Sequence, residues 1–461
     1  MTSNYIFVIL YYQISQHPIV IFIYRLIARQ MPTVEEVFDA GEYSQYSYVK
    51  REDRRIDSKL ERVLTSSTPG AAVVGPSKAG KTALVKNTAR VKDHGVIQVR
   101  GPEIGSVDEL WNIVLDELDA PKATEEHRTD TEEESSSTTG GVNPQDVGVN
   151  HTESHKEATS SGQTRTYGRR GLRGVVDRSE NKDFVLLLDD FHYISDKEVK
   201  KSIVQSIKGA IEDKVPICVA LVTHRGETLQ QKVPDIDDRV MTIQVESWKT
   251  PELKQIATKG EEHLNIKFSD RTKERLAQNA VKSPMIMQRL CSSACEVAGV
   301  SGTQDPTTQA KKIDLSDDEL QQVITLASDW MGKRMVVKAL LDGVNDSGRV
   351  KYDYGGEKDG DTYLLTLRAI ATGDPTNTFH FSELKQRIKQ DCVEDSPSGS
   401  QIDNVCEQLE TIANEKRPGD ELIEWENEED NRVLMISDPE LLFLIRHIMN
   451  DDDYEEHILG M

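Results

Sequence analysis

Ala71-Ala72-Val73-Val74-Gly75-Pro76-Ser77-Lys78-Ala79-Gly80-Lys81-Thr82 is an apolar run, a turn bounded by two glycines, and the start of a helical stretch. Strand, glycine-bounded loop and helix in that order predict a phosphate-binding loop, or P-loop. Gly75 and Gly80 let the backbone approach a phosphate chain closely, and N–H groups converge there at a helix N-terminus. Residues Gly75, Pro76, Ser77, Lys78, Ala79, Gly80, Lys81 and Thr82 are the candidate loop. Lys81 would reach the β and γ phosphates, and the Thr82 hydroxyl would take one position on Mg²⁺.

Such a loop needs a carboxylate at the end of a neighbouring strand. Phe184-Val-Leu-Leu-Leu-Asp189-Asp190 supplies it. Asp189 is the candidate magnesium acid, and Asp190 is placed to orient or deprotonate an attacking water, or else to cap the following turn. His192 and Tyr193 lie in the same turn, as reporters of nucleotide state or as packing residues. The next strand ends in Ala220-Leu-Val-Thr223-His224-Arg225, where polar groups leave the sheet edge that meets the phosphates. Thr223 or Arg225 would sense the γ-phosphate, and Arg225 could stabilise transition-state charge or simply cap a surface turn.

Outward from these motifs, apolar runs at Ala71–Val74, Val96–Val99, Phe184–Leu188, Ile217–Val222 and Met241–Val245 alternate with helical stretches. That rhythm predicts an α/β fold with a parallel sheet. Residues 120–182, rich in Ser, Thr, Gly, Glu and Asp, read as a disordered insertion. Its arginines Arg165, Arg169, Arg170, Arg173 and Arg178 form a local basic cluster, for nucleic acid, an acidic partner or solvent. After Pro251 the pattern is helical, as in a lid, followed by a polar stretch from Gly299 to Asp314 and a helix from Ser316 to about Leu341. Helices at Tyr363–Ala371, Ser382–Gln390 and Ser400–Asn414, then strands at Leu422–Trp425 and Val433–Ile436, follow the order of a winged helix. The expected domains are an apolar extension over 1–30, a P-loop domain over 31–250, a helical lid and connector over 251–345, and an α+β winged-helix domain with an acidic tail over 346–461.

The 461 residues carry 79 acidic and 56 basic side chains, a formal net charge of −23. This balance repels nucleic-acid phosphates over much of the surface and suits a halophilic cytoplasm, although any acidic protein shares it. From Asp391 onward there are 21 acidic and 4 basic residues, and Ser400–Asn414 carries Asp403, Glu407 and Glu410 with no Lys or Arg. DNA is therefore disfavoured as a partner. The cysteines Cys218, Cys291, Cys295, Cys392 and Cys406 make no disulfide framework, and the spacing of Cys291 and Cys295 fits burial better than metal binding. Residues 1–30 hold two apolar runs broken by Gln13, Ser15, Gln16, His17 and Pro18, too interrupted for a good membrane helix; translation from Met31 is the simpler reading, and a membrane partner is not expected.

Taken together, Gly75–Thr82, Leu186–Asp190, Val222–Arg225 and the later Ser283-Pro284-Met-Ile-Met-Gln288-Arg289 resemble the STAND NTPases and their neighbours among the AAA+ and origin-recognition ATPases. The resemblance covers about residues 48–446. It implies ATP, rather than GTP, as the nucleotide, a cytoplasmic ATPase of low turnover, and a switch that couples nucleotide state to domain rearrangement, a protein partner or self-assembly. An origin-recognition-like, DNA-binding ATPase is the alternative it implies. It also places Tyr48-Val-Lys50-Arg51-Glu52 near the adenine, although Lys50 stands where the family often has glycine. Pro284 is carried over as a nucleotide contact in the lid, without the glycine that usually accompanies it, and Arg289 as a second sensor.

Overall fold

The computed structural model describes residues 31–66, 69–118, 171–179, 183–194, 196–222, 240–344, 348–355, 358–428 and 431–450. The first half runs α1 (Val34–Val37), α2 (Ile56–Leu64), β1 (Gly70–Gly75), α3 (Lys81–Val91), β2 (Gly95–Arg100), α4 (Val107–Glu117), α5 (Leu172–Ser179), β3 (Phe184–Asp189), α6 (Lys197–Glu212), β4 (Ile217–Val222) and β5 (Met241–Gln244). The strands form one parallel sheet in the order β2-β3-β4-β1-β5. β1, β3 and β4 are buried along their whole lengths, which explains why they read as continuous apolar runs. Alternate residues serve two cores: Ala71 and Val73 pack toward α2 and α3, while Ala72 and Val74 pack toward α4 and α6. The ends of β1 and β3, with their phosphate loop and acids, therefore lie at one edge of the sheet.

The second half runs α7 (Thr250–Leu264), β6 (Ile266–Phe268), α8 (Asp270–Asn279), α9 (Pro284–Val297), β7 (Lys311–Ile313), α10 (Asp317–Asp329) and α11 (Arg334–Asp342). It continues with β8 (Tyr352–Tyr354), β9 (Lys358–Gly360), α12 (Thr362–Ala371), β10 (Thr378–His380), α13 (Phe381–Asp391), α14 (Gly399–Lys416), β11 (Ile423–Glu428), β12 (Asn431–Ile436) and α15 (Pro439–Met449). From α12 to β12 the order is helix, strand, helix, helix and a two-stranded wing, with β10 completing a three-stranded sheet in the order β10-β12-β11. The three helices and the ribbon follow the order expected from the sequence, with β10 added between the first two helices. A single apolar core joins the segment around α1, the lid helices and the C-terminal unit, from Val34 through Leu290 and Val337 to Met449.

Three expectations are corrected. The segment assigned to a disordered insertion contains α5, which buries Val175 and lays Leu172 and Val176 against the core of α4 and α6. Of the basic cluster, Arg173 and Arg178 belong to that helix, and Arg178 donates to the Gly174 carbonyl at 3.1 Å; Arg165, Arg169 and Arg170 lie outside the described residues, as do residues 1–30. The polar stretch 299–314 contributes β7, which pairs in parallel with β6. The expected helix from Ser316 to Leu341 is two helices, because Met331 turns into the core and the chain restarts at Arg334, burying Val336 and Val337 and leaving Met335 outside.

Candidate nucleotide-binding site

Gly75 ends β1 with its Cα so close to the next segment that a Cβ would sit 2.1 Å from the Val245 carbonyl oxygen. Gly80, at φ +93°, turns the loop into α3. Between them Lys78 adopts φ +55°. Trp248 braces the loop from outside by donating its indole N–H to the Ala79 carbonyl at 2.9 Å, and the Arg51 guanidinium lies 4.8 Å above that ring. Lys81 is buried and donates to the carbonyls of Gly75 at 3.2 Å and Pro76 at 2.7 Å. Burial pulls its ammonium down to about 8, against the opposing influence of Asp189 and Asp190.

Asp189 ends β3 beside the loop and is 7% exposed. Its Oδ2 accepts from the Thr82 hydroxyl at 2.7 Å and from the Gln98 amide at 2.9 Å, while Oδ1 accepts from the Asp190 backbone N–H at 3.1 Å. A serine- or threonine-type hydroxyl and a carboxylate held together at a phosphate loop are hard oxygen donors of the kind Mg²⁺ takes, so these residues fit that ion. Asp190 follows in the left-handed region, φ +53°, and its side chain makes no capping hydrogen bond to the short helix that begins there. Burial and the neighbouring Asp189 charge raise its pKa, with Lys81 and Arg100 opposing them.

The cleft around this loop has a volume of about 680 Å³. Ser77, Lys78, Lys81, Thr82, Asp189 and Asp190 line its phosphate side. Ser47, Tyr48, Arg51, Trp248, Pro284 and Gln288 complete its lining. Volume and lining suit a nucleotide-sized ligand.

Residues 50–219 match the family model described as the AAA ATPase domain. Among solved structures the chain is similar to the Walker-type ATPase PABY2304 of Pyrococcus abyssi, at 13% identity over 89% of this chain and 99% of that one, with a TM-score of 0.45. It is similar to Cdc6p from Pyrobaculum aerophilum at 12% identity, over 91% of this chain and 100% of that one, with a TM-score of 0.41. It is also similar to the RuvB Holliday junction branch migration motor of Thermotoga maritima, at 13% identity over 84% and 92%, with a TM-score of 0.38. No curated protein matches the chain by sequence. The family match falls on the segment that carries the loop and the paired acids. That segment is similar to the AAA ATPase domain and has the α/β fold of a P-loop NTPase.

The cleft brings together most of the residues singled out from the sequence: Gly75 through Thr82, Asp189, Asp190, Tyr193, Tyr48, Arg51, Pro284 and Arg289 all reach it or its loop. Thr223 and Arg225 lie outside the described residues. Three groups escaped the sequence reading. Gln98 and Arg100 are on β2, which the sequence shows only as the apolar run Val96–Val99, yet both line the cleft. The third is the C-terminal unit itself, which closes the cleft on the phosphate side.

That closure is ionic. Lys78 Nζ lies 2.9 Å from Asp438 Oδ2 and 3.1 Å from Glu440 Oε2, and Lys333 Nζ lies 3.0 Å and 2.7 Å from the same two atoms. Asp438 also caps α15 by accepting from the Leu441 N–H at 2.9 Å. Burial pushes both carboxylates up, but Lys78 and Lys333 outweigh it and hold Asp438 and Glu440 below their ordinary values. The same contacts raise Lys333 despite its burial. No sequence pattern linked Lys78 to residues 360 positions away.

Proposed function

We propose that this protein is an ATP-binding, slowly hydrolysing molecular switch of the STAND type, in which nucleotide state controls how the C-terminal unit docks on the AAA+ domain. The observation that carries this reading is the contact of Lys78, inside the P-loop, with Asp438 and Glu440 at the start of α15. A polyphosphate bound at the loop presents negative charge to the same lysine. Phosphate and carboxylates then compete for it, so nucleotide binding and docking are coupled by differential affinity. Two further features support a moving boundary at this place. The contact across the cleft is a largely buried ionic cluster, whose attraction is offset by the cost of dehydrating its charges, whereas the lid and the C-terminal unit share one apolar core. No residue of β1–β5 belongs to that core among the described residues. The lid and C-terminal unit would move as one body against the sheet.

In this reading the loop N–H groups cradle the phosphates and Lys81 leaves the Gly75 and Pro76 carbonyls for them. Thr82 and Asp189 hold Mg²⁺, which when bound neutralises phosphate charge. Asp190 orients and deprotonates the attacking water, Pro284 contacts the nucleotide from the lid, and Thr223 and Arg225 sense the γ-phosphate. Output passes through a protein partner or self-assembly. The origin-recognition-like alternative needs a basic reading helix, but α14 exposes Ser400, Gln401, Asn404, Glu407, Thr411 and Glu415 with a basic residue, Lys416, only at its last position, and nearby Arg432 is engaged with Asp403 at 3.6 Å.

The test is ATP·Mg binding, turnover and X-ray scattering of the full chain beside its Lys81→Ala and Asp190→Asn forms. The expected pattern is slow turnover and an ATP-dependent change in radius of gyration in the wild type, no binding in Lys81→Ala, and binding without turnover in Asp190→Asn. A wild-type scattering profile identical with ATP, with ADP and without nucleotide would defeat the switch, whatever the turnover. Tight, salt-sensitive duplex DNA binding would favour the alternative.

A further inference from the structure

Gln98 is a half-buried residue of β2, the outer strand of the sheet beside β3. Its neighbours on the same face are Val96, which packs into the core beside α3, and Arg100, which lines the nucleotide cleft. The chain thus changes from apolar to polar along one face of β2 as it reaches the edge where the acids emerge. Register puts Gln98 opposite Leu187 and Arg100 opposite Asp189. From there the Gln98 amide donates to Asp189 Oδ2 at 2.9 Å, the same oxygen that accepts from Thr82 at 2.7 Å. With the Asp190 backbone N–H on Oδ1, the carboxylate has donors on both oxygens and a single orientation.

The geometry points to Gln98 as a positioning residue for magnesium: its amide fixes the Asp189 carboxylate in the orientation that serves the ion, from a strand that carries no part of the P-loop motif. This rests on the reading of Asp189 as the magnesium acid. Two of the three donors to Asp189 come with the P-loop and the acid pair themselves, so Gln98 is the contribution particular to this chain's β2. Without it, Asp189 keeps its charge but loses one of the two donors to Oδ2, leaving Thr82 alone on that oxygen, and the side chain gains rotational freedom. Outer-shell partners of metal ligands are generally worth roughly ten- to hundredfold in metal affinity.

The experiment titrates Mg²⁺ against binding of a fluorescent ATP analogue to the full chain, in parallel with binding of the same analogue in EDTA. Gln98→Ala is expected to need about tenfold more Mg²⁺ for half-maximal enhancement, with binding in EDTA unchanged. Gln98→Glu keeps the shape of the side chain but replaces the donor with a carboxylate facing Asp189, and it should be at least as impaired. If Gln98 were merely a space-filling residue, Gln98→Glu would match the wild type. The inference is overturned if both variants keep the wild-type Mg²⁺ dependence, or if they lose binding equally with and without Mg²⁺. Wild-type binding that ignores Mg²⁺ would instead overturn the assignment of Asp189, a separate failure.

Discussion

At the scale of single residues, the phosphate loop is set by backbone approach rather than by side chains. Gly75 is the tightest point, since any Cβ there would meet the Val245 carbonyl oxygen at 2.1 Å and force β1 and the segment after β5 apart. Gly75→Ala should therefore lower stability by about 1–3 kcal/mol and remove nucleotide binding. Thermal unfolding with and without ATP·Mg checks both parts, and an ATP-dependent shift in melting temperature equal to that of wild type would refute it. This glycine was legible in the sequence because a loop between strand and helix demands it. So were Lys81, Thr82, Asp189 and Asp190, whose spacing follows from the chemistry of phosphate and magnesium. Gln98 was not legible, because a glutamine within a short apolar run has no pattern until β2 is placed beside β3. Lys78 was read only as a loop residue, and its partners at Asp438 and Glu440 come from the far end of the chain.

At the scale of elements, strands β1, β3 and β4 announced themselves because both of their faces are buried, and amphipathic helices such as α6 and α14 did so through their periodicity. Elements of three residues did not. β6, β7 and β10 carry too few side chains to show a period, and they exist because tertiary neighbours supply their hydrogen bonds. The division between α10 and α11 was hidden for a related reason, since both halves have good helical composition and only the inward turn of Met331 separates them. Packing of the N-terminal segment on the lid offers a test at this scale. Gly260 in α7 leaves room for the Phe38 ring, and a Cβ there would approach Phe38 Cζ at 2.1 Å. Gly260→Ala should cost about 1–3 kcal/mol even though alanine favours helices, because overpacking outweighs propensity. Urea unfolding would show a lowered midpoint. A raised midpoint would mean that the ring moves aside freely.

At the scale of the whole molecule, a polar seam divides the sheet from the body formed by the lid and the C-terminal unit. The seam's charges fix its pH response. Asp438 and Glu440 are held below their ordinary values of 3.8 and 4.5, so their contribution to docking is fully present above those values and is lost as pH falls through the lowered ones. Lys333 is held above 10.5, so its contribution is full below that value and fades as pH rises through the raised one. Docking should thus be constant from about pH 5 to about pH 10 and weaken on the acid side first. Interdomain energy transfer between dyes on α6 and α14, followed over that range, checks it; a steady decline between pH 6 and pH 8 would contradict the assignment of these groups. Among the described residues no helix is long and apolar enough to cross a membrane.

The most direct measurement is calorimetric titration of ATP·Mg into the wild type and into the Asp438→Asn, Glu440→Gln double variant, in which asparagine can still cap α15. If carboxylates and phosphates compete for Lys78, the double variant binds several-fold more tightly. Equal or weaker binding by a variant that remains folded would contradict the account.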